Sequence, residues 1–108
     1  MKIEKIVERQ REFFATDRTK ELRFRLEALN RLEESIKKHE EDINLALKKD
    51  LNKSVFESYM TEVGMTLAEL SFVKKNLPIW NLRKWKLSPL AQFHADSFTV
   101  SEPYGVVL

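Results

Sequence analysis

The 108-residue sequence contains no cysteine. That excludes disulfides, thiolate metal sites and a cysteine nucleophile within the chain. Glycine is almost absent: Gly64 and Gly105 are the only two, and they lie forty-one positions apart. There is no G-x-G-x-x-G pattern and no P-loop, so the chain supplies no phosphate cradle of its own. Histidine is limited to His39 and His94, and neither has companions at metal-ligand spacing. His39 sits in a charge run and reads as a solvated turn residue; His94 reads as a loop residue. No apolar run approaches the ~18 residues of a membrane span. Lys2, Glu4, Lys5, Glu8 and Arg9 occupy the place where a signal peptide would be apolar. A soluble cytoplasmic setting is therefore the expectation. Net charge is only +2, with 14 basic and 15 acidic groups in residues 1–71 and 5 and 2 in residues 72–108. Neither nucleic acid nor a membrane span is expected as a partner.

What the sequence does contain is helical periodicity. Ile3, Ile6, Val7, Gln10, Phe13 and Phe14 fall on one face and predict a helix from about Lys2 to Ala15. Thr16–Thr19 reads as a break, with Thr19 as N-cap of the next helix. Leu22, Leu26, Leu29, Leu32 and Ile36 form the clearest stripe. Opposite it, Glu27/Arg31, Glu33/Lys37 and Glu34/Lys38 are acid-first i,i+4 pairs that suit a solvated face without a further partner. A turn near His39 precedes a third helix over about Glu40–Leu51, with Ile43, Ala46, Leu47 and Leu51 inward. Glu41, Asp42, Lys48 and Lys49 match its dipole. Glu40-Glu41-Asp42 is no EF-hand loop, because Leu47 stands where the required glycine should be.

Ser54-Val55-Phe56-Glu57 is a capping box that opens a fourth helix. Tyr59, Val63, Leu67, Leu70, Val73 and Leu77 run along it. Gly64 lies inside, at a cost of about 0.8–1 kcal/mol relative to alanine; that predicts a bend or a close backbone approach. Pro78 should end or kink this helix, and Ile79–Leu87 holds one or two further turns. Phe13, Phe14, Phe24, Phe56, Tyr59 and Phe72 are expected in the core. Lys74–Lys86 interleaves basic groups with Trp80 and Trp85, as a membrane-surface or nucleic-acid binder would. The plainer expectation is that Leu77, Trp80 and Leu82 pack on the helices while the charges stay in water.

Residues 88–96 read as loop. Ser97–Leu108 is the only strand-like stretch: Phe98-Thr99-Val100 alternates, Pro103 stops the ladder, and Val106-Val107-Leu108 is an apolar run opened by a turn signal. The fold class is thus mainly α: a helical region over 1–87 with about four helices, then loop and one or two strands over 88–108. On residues alone no catalytic triad, metal site or cofactor site is present. A stand-alone helical interaction module and a basic Trp-rich surface binder are the readings that composition leaves open.

Several segments together resemble the N-terminal portion of an aldehyde dehydrogenase of the class 3, or fatty aldehyde dehydrogenase, branch. They are Arg11-Glu12-Phe13-Phe14, Phe24–Leu29, Glu41-Asp42-Ile43, Ala46–Ser54, Tyr59–Val63, Leu77–Trp80 and Ser101–Leu108, with E-P-Y-G-V-V-L the sharpest. The resemblance implies a truncated piece of an α/β fold. Its helices would precede an NAD(P)-binding Rossmann-like domain, whose first strand opens at Gly105–Leu108. In that family a cysteine thiolate attacks an aldehyde, hydride passes to NAD or NADP, and a glutamate-activated water releases the acid. A backbone amide and an asparagine hold the oxyanion. None of these groups is implied within this chain, which should be inert alone. The resemblance places the wall of the family's substrate tunnel near Tyr59-Met60-Thr61. Met60 is the candidate there, a packed core methionine being the plainer reading. Helices that normally cover a larger domain should self-associate through their exposed apolar faces and through the 97–108 strand, read as an unpaired edge.

Overall fold

The computed structural model describes residues 2–107. Its elements are α1 (Ile3–Ala15), α2 (Leu22–Lys38), α3 (Glu40–Leu51), α4 (Val55–Ser58), a π-helical segment (Tyr59–Val63), α5 (Gly64–Trp80), β1 (Lys84–Lys86) and β2 (Ser97–Thr99). The α4, π and α5 segments follow one another without a break, so there are four helical rods followed by two strands, the mainly α class that the sequence predicts. The chain forms two compact units, one of residues 1–25 with 77–108 and one of residues 26–76.

In the first unit, α1 carries Phe14, half-buried, and Phe13, which meets Phe24 at a ring separation of 5.9 Å. The Arg18 guanidinium lies 5.6 Å and 5.7 Å from those two rings, the reach of a cation–π contact. Asp17 takes a left-handed conformation, φ 62°, and leads into a 3₁₀ turn over Arg18–Lys20. Thr19 sits inside that turn, so it is not the N-cap of α2; its buried Oγ1 has no hydrogen-bond partner. At the far end of α5, Pro78 lies within the helix, which runs on to Trp80. Proline removes one donor and does not halt the chain there: the Asn81 N–H donates to the Leu77 carbonyl at 2.9 Å and carries the turn past it.

The strands correct the sequence reading most. Lys84–Lys86, expected in a helical tail, is β1, and it pairs antiparallel with β2 in the register Lys84–Thr99, Trp85–Phe98, Lys86–Ser97. Trp85 meets Phe98 edge-on at 5.5 Å. The Ser88 hydroxyl lies 2.8 Å from that of Ser97 and donates to the Ala95 carbonyl, pinning the intervening loop. Ser97–Thr99 is thus half of a hairpin, neither the sole strand nor an unpartnered one. Gly105–Val107 forms no strand, and Leu108 lies outside the described residues. Gly105 is at φ +101°, and a Cβ there would meet the Phe14 ring at 3.6 Å.

In the second unit, the capping box forms as its sequence requires. The Ser54 Oγ accepts from the Glu57 N–H at 3.2 Å, and Glu57 accepts from the Ser54 N–H at 2.9 Å. Those bonds hold the Glu57 carboxyl below its usual range, the Ser54 backbone N–H contributing most. Asn52, at φ 53°, closes α3, as an αL C-cap does. Among the described residues the buried apolar side chains are Val63 and Leu70 alone. Both belong to the predicted stripe, but the predicted core is otherwise open. Phe13, Phe56, Tyr59 and Phe72 are exposed, as are Trp80 and Leu82, and Ala46 and Leu51 on α3.

Candidate functional site

The π segment is the most unusual local structure in the chain. A π turn carries an i→i+5 bond and one extra residue, and such turns frequently occur at functional sites. Here the Gly64 N–H donates to the Tyr59 carbonyl. A Cβ on residue 64 would stand 2.7 Å from that oxygen and 3.0 Å from the Tyr59 ring. The glycine is therefore required by the wide turn's own backbone and the Tyr59 ring, rather than by the approach of another backbone.

Around this turn, Lys53 donates to Glu62 at 2.5 Å and to the Thr61 hydroxyl at 3.0 Å, and Thr61 donates to the Glu57 carbonyl at 2.7 Å. Ser58, fully buried, keeps a hydroxyl with no partner. Met60, the candidate tunnel-wall residue, lies on the π segment and is 55% exposed, so it is not a packed core methionine. A groove of about 520 Å³ runs beside it, lined by Leu32, Thr61, Met65, Thr66, Glu69 and Val73 among others, and Met60 is not one of them. Position 60 was singled out by the family resemblance alone, and the extra residue of the π turn on which it stands is invisible to a periodicity of 3.6.

The same unit is tied by charge. Lys74 donates to Glu33 and, at 3.1 Å, to Asn30, while Lys37 donates to Glu33 at 2.7 Å. The Glu33 carboxyl is lowered to about 2 by hydrogen bonds from Lys37 and then Lys74. The α2 face read as merely solvated thus has a partner on α5. His39 lies 3.4 Å from Asp42 on the surface, and His94 stacks on Phe93 at 3.9 Å. No group of three potential metal ligands exists among the described residues, and no helix among them is long and apolar enough to cross a membrane.

No family model matches the chain. Curated relatives do. The 4,4'-diaponeurosporen-aldehyde dehydrogenase of Staphylococcus aureus is 43% identical over 96 residues, 89% of this chain and 21% of that protein. The dimeric NADP-preferring aldehyde dehydrogenase of Canis lupus familiaris is 37% identical over 108 residues, 99% of this chain and 24% of that protein. A solved structure described as the substrate-bound state of Staphylococcus aureus AldH matches with a TM-score of 0.87 at 38% identity, covering 96% of this chain and 23% of its own. This chain is homologous to the N-terminal segment of the family 3 aldehyde dehydrogenases. It spans roughly a fifth to a quarter of the length of the curated relatives it matches. The comparisons lend no support to a stand-alone interaction module or a Trp-rich surface binder.

NAD(P) is the cofactor that aldehyde dehydrogenase relatives imply. The residues present here do not fit it. Gly64 is enclosed by its own helix and Gly105 faces the Phe14 ring, so neither opens a backbone cradle at the start of a helix, where a pyrophosphate would bind.

Proposed function

We propose that this chain is the N-terminal helical segment of an enzyme that oxidises aldehydes to carboxylic acids with NAD(P)+, and that it is catalytically inert by itself. The observation that carries this reading is the structural match at 38% identity over 96% of the chain. The absence of cysteine from the sequence supports inertness, because the family's nucleophile has no counterpart here. The cytoplasm belongs to the same reading.

Exposed surface supports a proposal about partners. A folded monomer of this mass exposes about 6,300 Å², whereas this chain exposes 9365 Å². The difference, about 3,000 Å², exceeds a standard protein–protein interface. It is rich in large apolar side chains such as Val55, Phe56, Met65 and Phe72. The isolated chain self-associates through these helix faces. Light scattering should give a mass above that of the monomer, with no NAD(P)H produced from aldehyde. A clean monomer contradicts the association, and turnover contradicts the inertness.

Met60 belongs to the wall of the substrate tunnel in the complete enzyme, a role supported by its exposure and its place on the π turn. Met60→Trp in a full-length enzyme carrying this segment should raise KM for long-chain aldehydes about tenfold, the size of a ~1.4 kcal/mol steric loss, with kcat nearly kept. An unchanged KM contradicts the assignment.

A further inference from the structure

A second cavity, in the unit of residues 1–25 and 77–108, serves nothing described above. It holds about 200 Å³ and is lined by Lys20, Arg25, Asn81, Arg83, Ser101 and Glu102 among others. Three cations and one carboxylate meet in a space too small for a nucleotide. The Arg25 guanidinium is fixed there: its Nη2 donates to the Lys20 carbonyl at 2.6 Å and to the Asn81 Oδ1 at 3.0 Å. Its Nε is shut off from solvent and has no acceptor. A buried donor of this kind is rare in native proteins. Because the Asn81 oxygen is turned to Arg25, its amide nitrogen remains as a further donor. The Arg83 guanidinium is spread over the Phe98 ring, 4.6 Å from its centroid, which holds it at the cavity's edge.

With three cations against one carboxylate on its lining, the cavity favours an acceptor that is small and negatively charged. We propose that this cavity binds a small oxyanion, with Arg25 and Arg83 as its principal partners. Planar guanidinium groups suit oxyanion geometry better than an ammonium does. Lys20 plays a lesser part, since it is already paired with Asp17 at 2.9 Å. Glu102, on the cavity wall, opposes the anion and limits its affinity.

The test is a calorimetric titration of the chain with inorganic phosphate, ionic strength being held constant with chloride. A saturable heat is expected, accompanied by a shift of the Arg25 Nε–H resonance in a nitrogen-15 spectrum. Arg83→Gln, at an exposed position, should weaken binding about tenfold. Glu102→Gln should tighten it severalfold, a gain that misfolding cannot produce. A heat no larger than the chloride control, or a Glu102→Gln variant that binds no better, overturns the proposal.

Discussion

At position 64 a methyl group would lie 2.7 Å from the Tyr59 carbonyl oxygen. Alanine is the better helix former by about 0.8–1 kcal/mol, but overpacking against backbone costs about 1–3 kcal/mol, and the carbonyl cannot swing aside without breaking the π turn. Gly64→Ala should therefore destabilise by roughly 1 kcal/mol net, read as a lower urea midpoint by circular dichroism. A raised midpoint would mean that the wide turn relaxes to an α turn at no cost. The glycine was legible in the sequence as a residue needing a close approach, and the capping box of Ser54 and Glu57 was legible as a helix start, because both signals are local. The side-chain directions of Met60 and its neighbours were not. They depend on one extra residue per turn, which no periodicity of 3.6 can register.

Elements were legible where local pattern and packing agree. The stripe on α2 and the boundaries of α3 follow from spacing, dipole charges and the αL cap at Asn52. The hairpin was not legible, since Lys84-Trp85-Lys86 has no run of its own long enough to declare a strand. It becomes one through a non-local partner, Ser97–Thr99, and through the Trp85–Phe98 pair. The contact of α2 with α5 through Glu33 and Lys74 was missed for a similar reason: i,i+4 logic sees only one helix. That contact predicts a pH dependence. With the folded carboxyl near 2 and the ordinary value 4.5, the unfolded chain binds the extra proton between those limits. The contribution of Glu33 is thus complete above about pH 4.5 and is lost as pH falls toward 2. Urea midpoints for the protein and for Glu33→Gln should differ by a constant amount above pH 5 and converge below pH 4.5. A difference independent of pH down to 2 would contradict the bridge.

For the molecule as a whole, the mainly α class and a strand beginning near Ser97 could be read from sequence, whereas its partner strand and the size of the core could not. The amphipathic stripes predict faces that want burial, yet among the described residues only Val63 and Leu70 achieve it as apolar side chains. Stripe logic says which face is apolar and not what covers it. In the proposed reading these faces are covered by the remainder of an aldehyde dehydrogenase, and the segment contributes packing and tunnel wall rather than chemistry. The most direct test replaces the matching 96-residue portion of the Staphylococcus aureus relative with this chain and measures aldehyde-dependent NAD(P)H formation. A soluble chimera turning over within about tenfold of the parent is the predicted result, since apolar swaps that keep volume and pattern are tolerated. A chimera that folds but shows no aldehyde-dependent turnover would contradict the account.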